Sequence, residues 1–264
     1  MTYADLNLKT PATFENTSPG SRILIVASGH STGGFLQYKE KARKHFDVII
    51  ACNYAFEFVD DIIDFHIVTE KTSRDSRNTV HKILAGDFRT DVPRIVNWKG
   101  IELYPKKYNL FKTTRANFDM MPNIYKYNHN GQEGLLIGPA GKQGFALGSV
   151  SLSALHFAVM LGAVEVYMVG ADMCFKDQYD HFYKDRIYRD RPEDLKKSNA
   201  HNIINVELNG QKHETTEYFK ESAEHIDKLV PTLFKDIKVF DFSNGLLTTP
   251  IKLNIEDFFK EPRC

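Results

Sequence analysis

Short apolar runs alternate along this chain with stretches where apolar residues return at helical spacing. "RILIVA" (Arg22 to Ala27), "DVIIAC" (Asp47 to Cys52) and "DFHIVT" (Asp64 to Thr69) are β-branched runs too short for helices. Between the first two lies "FLQYKEKARKHF", which reads as a helix. "SVSLSALHFAVMLG" places Val150, Leu152, Leu155, Ala158, Val159 and Leu161 as the apolar positions of a mostly buried helix that Gly162 is placed to stop. "VEVYMVG" follows at once as a strand. "TEYFKESAEHIDKLVPTLF" predicts a helix with Phe219, Ala223, Ile226 and Val230 on one face, and "DIKVFDFS" a last strand. Strand and helix alternation of this kind predicts βαβ units, a mostly parallel sheet covered by helices on both faces, and hence a Rossmann-like α/β fold.

Other stretches break the pattern. Residues 1–20, polar and rich in Pro, Thr and Ser, read as a loose arm before one domain over residues 21–264. "PRIVNW" reads as a further strand, but about 98–133 aromatics mix with Lys, Asn and Pro at no period, as in an irregular insertion. About 184–212 the chain is charged with few apolar anchors, as in a lid-like loop. "NGLLTTPIK" reads as a turn and an apolar tail.

Composition narrows the function classes. The 264 residues carry 34 Lys+Arg against 34 Asp+Glu, so no global charge draws the protein to nucleic acid or an anionic membrane. No apolar stretch is long enough to span a bilayer, and the amino terminus lacks the order of a signal peptide, which predicts a cytoplasmic protein compatible with peripheral attachment to the inner face of a membrane. Cys52, Cys174 and Cys264 are widely spaced with no CxxC pattern, which argues against a disulfide framework or a zinc site.

Ligands of open parallel sheets bind at the carboxyl ends of the strands. Four polar clusters are placed there. "SGHSTGG" follows the first strand with Ser28, Gly29, His30 and Ser31, small or polar residues that let backbone amides approach a phosphate, although the loop is neither GxGxxG nor a Walker loop. "ACNYAF" puts Asn53 just past the second strand, where its amide suits a base or ribose and where a turn-forming Asn is the plainer explanation. "GPAGKQGFALGSVS" brings Gly148, Ser149 and Ser151 to a helix N-terminus, for an anion or for ordinary capping. "GADMCFKDQYDHFY" supplies Asp172, Tyr179, His181 and Tyr183, whose phenols and imidazole can steady a departing phosphate. Asp-x-Asp, the divalent-cation signature of common sugar transferases, is absent, which predicts catalysis without metal or cofactor. Of ten His, His213 in "QKHETTEYF" stands just before a helix, where the positive helix end favours a neutral ring suited to a general base. His66 lies inside a strand and His156 on the buried helix, ordinary core positions.

These clusters, in this order, resemble those of bacterial sialyltransferases of glycosyltransferase family forty-two and their relatives in the 6-hydroxymethylpterin diphosphokinase-like family. The resemblance runs from about Arg22 to Ile251 and is weakest between residues 75 and 135. Its strongest part is "GSVSLSALHFAVMLGAVEVYMVGADM", similar to the family's Ser/Thr-initiated helix, Leu-Gly break, strand and Gly-x-Asp exit. "VASGHS" is similar to the loop around the cytidine phosphate, with Ser28 in place of Asn and His30 in place of Pro. "ACNYAF" resembles the segment whose Asn touches the cytidine nucleotide. Ser149 and Ser151 fall on the donor-contacting turn, and His213 is similar in place to the family's His base. Cys174 stands where the family has its first catalytic Tyr, leaving any phenol to Tyr179 or Tyr183.

The resemblance implies a GT-A-like variant of the Rossmann-like fold. It also implies a metal-independent inverting glycosyltransferase that moves an acid sugar from a CMP-activated donor to a cell-surface glycan, as in bacterial lipopolysaccharide or capsule biosynthesis. The expected partners are a nucleotide sugar and a glycan acceptor, with a homo-oligomer left open and no nucleic acid. An ATP-dependent pyrophosphokinase of the pterin type is the second reading, with Asp60, Asp61 and Asp64 as its acidic residues. The third is a non-catalytic nucleotide-binding protein, which Cys174 favours.

Overall fold

A computed structural model of the chain describes residues 14–68, 91–97, 124–127, 149–176, 182, 203–232 and 234–260. In chain order the elements are β1 (Ser21–Val26), α1 (Ser31–Phe35), α2 (Lys39–His45), β2 (Val48–Cys52), α3 (Phe56–Val59), β3 (Phe65–Val68), β4 (Arg94–Asn97) and β5 (Ile124–Tyr127). There follow α4 (Val150–Leu161), β6 (Ala163–Val169), β7 (Ile203–Leu208), β8 (Gln211–Thr216), α5 (Glu217–Leu229), β9 (Lys238–Asp241), β10 (Ile251–Lys252) and α6 (Ile255–Phe258).

Eight strands form one sheet in the order β10-β9-β6-β1-β2-β3-β4-β5, and every neighbouring pair is parallel. The predicted α/β architecture, with helices on both faces, is the one observed. Alternate residues of β1 supply the two cores: Ile23 and Ile25 join Val48, Ile50, Val166 and Met168 beneath α4 and α5. Leu24 and Val26 join Ile49, Ala51, Tyr167 and Val169 beneath the helices of residues 31–63. Burial on both faces explains why these strands read as unbroken apolar runs.

The helix foreseen at 150–161 starts at the Ser149 cap, whose Oγ accepts from the Ser151 N–H at 3.2 Å, and stops at Gly162 with φ 98°. Three expectations are corrected. Residues 14–20 of the supposed loose arm are tied down: Phe14 packs edge-on against Phe65 and Phe157, and the amides of Asn16, Ser18 and Gly20 donate to the carbonyls of Met160, Leu161 and Gly162. The supposed irregular insertion contains β5, and the rest of 98–133 lies outside the described residues. Residues 203–216 of the supposed lid and its sequel form an antiparallel hairpin, β7 with β8, whereas 184–202 lie outside the described residues. The apolar tail also gains structure, since Ile251 and Lys252 form β10 in parallel register with Phe240 and Asp241 of β9, and beyond it Phe258 and Phe259 pack against Phe46 and Phe242. Among the described residues no helix is long and apolar enough to cross a membrane.

Candidate functional site

From β1 the sheet grows outward through β2, β3, β4 and β5, then the chain returns to place β6 on the other side of β1. Strand order therefore reverses between β1 and β6, the place in open parallel sheets where ligands bind. The loops concerned are Ala27–Ser31 and Gly170–Phe175. Because α4 and α5 each precede a parallel strand, both begin at this carboxyl edge and direct their positive ends toward it.

The two loops are bonded through one buried carboxylate. Asp172, 6% exposed, receives the Ser31 backbone N–H at 3.2 Å and the Ser31 hydroxyl at 2.9 Å. The same Ser31 Oγ accepts the Gly170 N–H at 2.7 Å, and the Gly29 N–H donates to the Gly170 carbonyl at 2.9 Å. Burial pushes the Asp172 carboxyl above the ordinary carboxylate range, opposed by the Ser31 bonds and the neighbouring His30. Glycine is required at 29 by this close passage, since a Cβ there would overlap Asp172 Oδ2 and the Gly170 carbonyl. Thus the small-residue loop already holds a carboxyl group of its own. Both Ser31 donors are spent on Asp172, and a phosphate contact from Ser31 would need them to be exchanged.

Ser28 is buried and its carbonyl accepts the Phe182 N–H at 3.1 Å, while the Phe182 ring meets Phe58 edge-on at 4.7 Å. This bond brings the later part of "GADMCFKDQYDHFY" against the first loop. Tyr179, His181 and Tyr183, expected to steady the leaving group, lie outside the described residues, as does Gly148. His30 occupies the N-cap position of α1 without a side-chain cap bond. Ser149 is half-buried at the start of α4, but Ser151 is 2% exposed, inside the core rather than on an open helix end.

Two residues without glycine's freedom adopt left-handed backbone here, Asn53 (φ 44°) after β2 and Met173 (φ 54°) after β6. Conformations of this kind gather at functional edges, where surrounding bonds hold them. The bonds at Met173 come from the hairpin: Thr215 Oγ1 donates to the Met173 carbonyl at 2.7 Å, and the Phe175 N–H to the Glu214 carbonyl at 2.8 Å.

His213 is corrected in position. It lies within β8, paired with Val206, and Thr216 is the residue that caps α5, accepting the Phe219 N–H at 3.1 Å. The premise of a ring at the helix end therefore does not hold. Alternation along β8 puts His213 on the same hairpin face as Thr215, the face that meets the β6 exit. Cys174 is an inert thiol in this setting. Its pKa is pushed up to about 12, by burial and then by Asp172 and Asp241, against the opposing field of Lys252.

Sequence reasoning missed a buried cluster beside it. The fully buried Asp241 at the end of β9 receives Lys252 Nζ at 2.6 Å, the Ser243 N–H at 2.9 Å and the Ser243 hydroxyl at 2.8 Å. Burial raises its pKa, opposed by Lys252 and Ser243. The loop beyond it closes on the site: the Leu246 N–H donates to the Asp172 carbonyl at 3.0 Å, and a Cβ at Gly245 would overlap the Asp172 backbone. The signal was available, an Asp two residues before a Ser where a strand ends, the pattern of an Asx turn. Among the described residues no three His, Cys, Asp or Glu side chains converge as metal ligands. Of the acidic residues considered for a pyrophosphokinase, Asp61 pairs with Lys39 at 2.7 Å, and Asp64 pairs with Arg43 while accepting the Ile49 N–H at 2.8 Å.

No protein-family model matches the chain, and no curated protein is found similar to it. Among solved structures, a MAf glycosyltransferase from Magnetospirillum magneticum AMB-1 aligns with a TM-score of 0.58 and 16% identity over 93% of this chain. The chain spans 37% of the length of that protein. The sialyltransferase CstII from Campylobacter jejuni, solved with cytidine-5'-monophosphate, aligns with a TM-score of 0.46 and 14% identity over 89% of this chain and 86% of that one. At these identities the likeness is one of fold alone.

Proposed function

We propose that this chain is a metal-independent inverting glycosyltransferase, taking an acid sugar from a CMP-activated donor and adding it to a glycan. One observation carries the reading: Ser28–Ser31, Asn53, Gly170–Cys174 and the hairpin bearing His213 all gather at the carboxyl edge where strand order reverses. The glycosyltransferase fold of the solved neighbour supports a transferase, and the sequence resemblance supports a cytidine donor.

In this reading the nucleotide lies along the carboxyl edge at β1 and β6. Asn53 meets the nucleoside, and Ser28, Gly29, His30 and the α4 start, with Gly148 and Ser149, face its phosphate and sugar, while Ser151 supports the Ser149 cap from within the core. Ser31 and Asp172 shape the floor. An acceptor hydroxyl attacks the anomeric carbon from the side opposite the phosphate. As the new C–O bond forms, its proton passes to the His213 imidazole, and the old C–O bond breaks with its electron pair leaving on CMP. Tyr179, His181 and Tyr183 donate hydrogen bonds to that phosphate. The acceptor is a cell-surface glycan, met by a cytoplasmic enzyme peripheral to the inner membrane face.

A thermal-shift series with CMP, CDP, UDP, GDP and ATP, each with magnesium and with EDTA, tests the proposal, because a bound nucleotide raises the melting temperature according to its affinity. Stabilisation by CMP in EDTA is expected. A response to magnesium ATP alone would overturn the reading in favour of the pyrophosphokinase. His213→Ala is expected to lower turnover of CMP-sugar by at least about a hundredfold with CMP binding unchanged.

A further inference from the structure

We propose that His66 is a positioning residue for the nucleotide-contacting Asn53, a role that rests on the reading of Asn53 given above. His66 stands in the middle of the sheet, in β3, in register with Ala51 of β2 and Arg94 of β4, and is fully buried. Its ring stacks on Phe56 with centroids 4.3 Å apart and an interplanar angle of 23°. Its Nε2 lies 2.9 Å from the Asn53 carbonyl oxygen. A carbonyl accepts and does not donate, so the proton of this bond sits on Nε2.

The bond falls on a residue held in left-handed backbone. Asn53 is the first residue past β2 and opens the short 3-10 turn Asn53–Ala55 with φ 44°, a left-handed conformation that its surroundings must hold. His66 reaches the Asn53 carbonyl from the adjacent strand, while stacking on Phe56, three residues beyond Asn53, fixes the ring against the same turn. The orientation of the Asn53 peptide, and with it the direction in which the Asn53 side chain leaves the backbone, is thereby set by β3. A core histidine that merely filled space would show the stacking without a bond to a strained residue at the carboxyl edge.

The test separates space-filling from positioning. His66→Phe keeps the stacked ring and loses the donor; His66→Gln loses the ring and keeps a donor. Without ligand, the Cα and Cβ chemical shifts of Asn53 report whether its backbone is left-handed. With CMP, calorimetry reports affinity. His66→Phe is expected to move the Asn53 shifts out of the left-handed range and weaken CMP binding by about tenfold. His66→Gln is expected to return affinity to within about threefold of wild type. In an Asn53→Ala background, His66→Phe is expected to cost nothing further, because both act through one contact. If His66→Phe does not fold, His66→Asn, too short to reach the carbonyl, replaces it. CMP affinity unchanged by loss of the donor, or losses that add in the double variant, would overturn the proposal. A wild-type protein that binds no CMP would overturn the glycosyltransferase reading instead, and the Asn53 shifts would then decide the role of His66 by themselves.

Discussion

Ser31 and Asp172 hold each other, and the consequences can be measured at single residues. A carboxyl whose folded pKa is raised favours folding fully below the ordinary carboxylate range and loses that contribution as pH rises through the folded value. Asp172→Asn removes the titration. Its stability relative to wild type, from urea melts, should therefore be better at pH 7 than at pH 4; a difference independent of pH would contradict the assignment. Gly245→Ala drives a methyl into the Asp172 backbone and should cost about 1–3 kcal/mol in the same melts. At Cys174, a thiol pushed up to about 12 carries almost no thiolate at neutral pH, so a Cys264→Ser protein should react slowly with an alkylating agent at pH 8 until it is unfolded. The sequence named Asp172 and Ser31 separately but not their bond, because pairing across 141 residues is a property of strand order, which local pattern does not contain.

Among the elements, α4 and the strands of the core were legible because burial makes them continuous apolar runs of distinct length, and Ser149 and Gly162 mark the ends of α4. The β7–β8 hairpin was not, although its turn carries the Asn209-Gly210 pair with φ 51° and 74° that favours tight hairpins. Its strands are only half-buried, so their alternation mixes charged and apolar residues and reads as a polar lid. That misreading also placed His213 at a helix end instead of on a hairpin face. The hairpin is fastened to the site through Thr215, whose hydroxyl reaches Met173. Thr215→Val should cost about 1–2 kcal/mol of stability, because the Met173 carbonyl loses a buried partner. The proposed mechanism adds that kcat should fall while affinity for CMP stays, since the base moves and the loops after β1 and β2, which meet the nucleotide, do not. Equal losses in both would mean that the hairpin supports the whole edge instead of His213.

Over the whole molecule, one parallel sheet separates two edges of different character. At the amino edge Arg22 pairs with Glu165 at 3.1 Å and lies over the Tyr167 ring, a packed arrangement of aromatics and charge. At the carboxyl edge lie the strained Asn53 and Met173, the buried Asp172 and Asp241, and the starts of α4 and α5. Alternating strands and helices predicted the fold class, and the reversal of strand order brought scattered polar clusters to one edge of the sheet. Chemical-shift mapping of the protein titrated with CMP in EDTA tests that edge as the nucleotide site most directly. The account predicts saturable changes confined to Ser28–Ser31, Asn53, Ser149–Ser151 and Gly170–Cys174. Changes centred on Arg22 and Glu165 at the opposite edge, or none at saturating CMP, would contradict it.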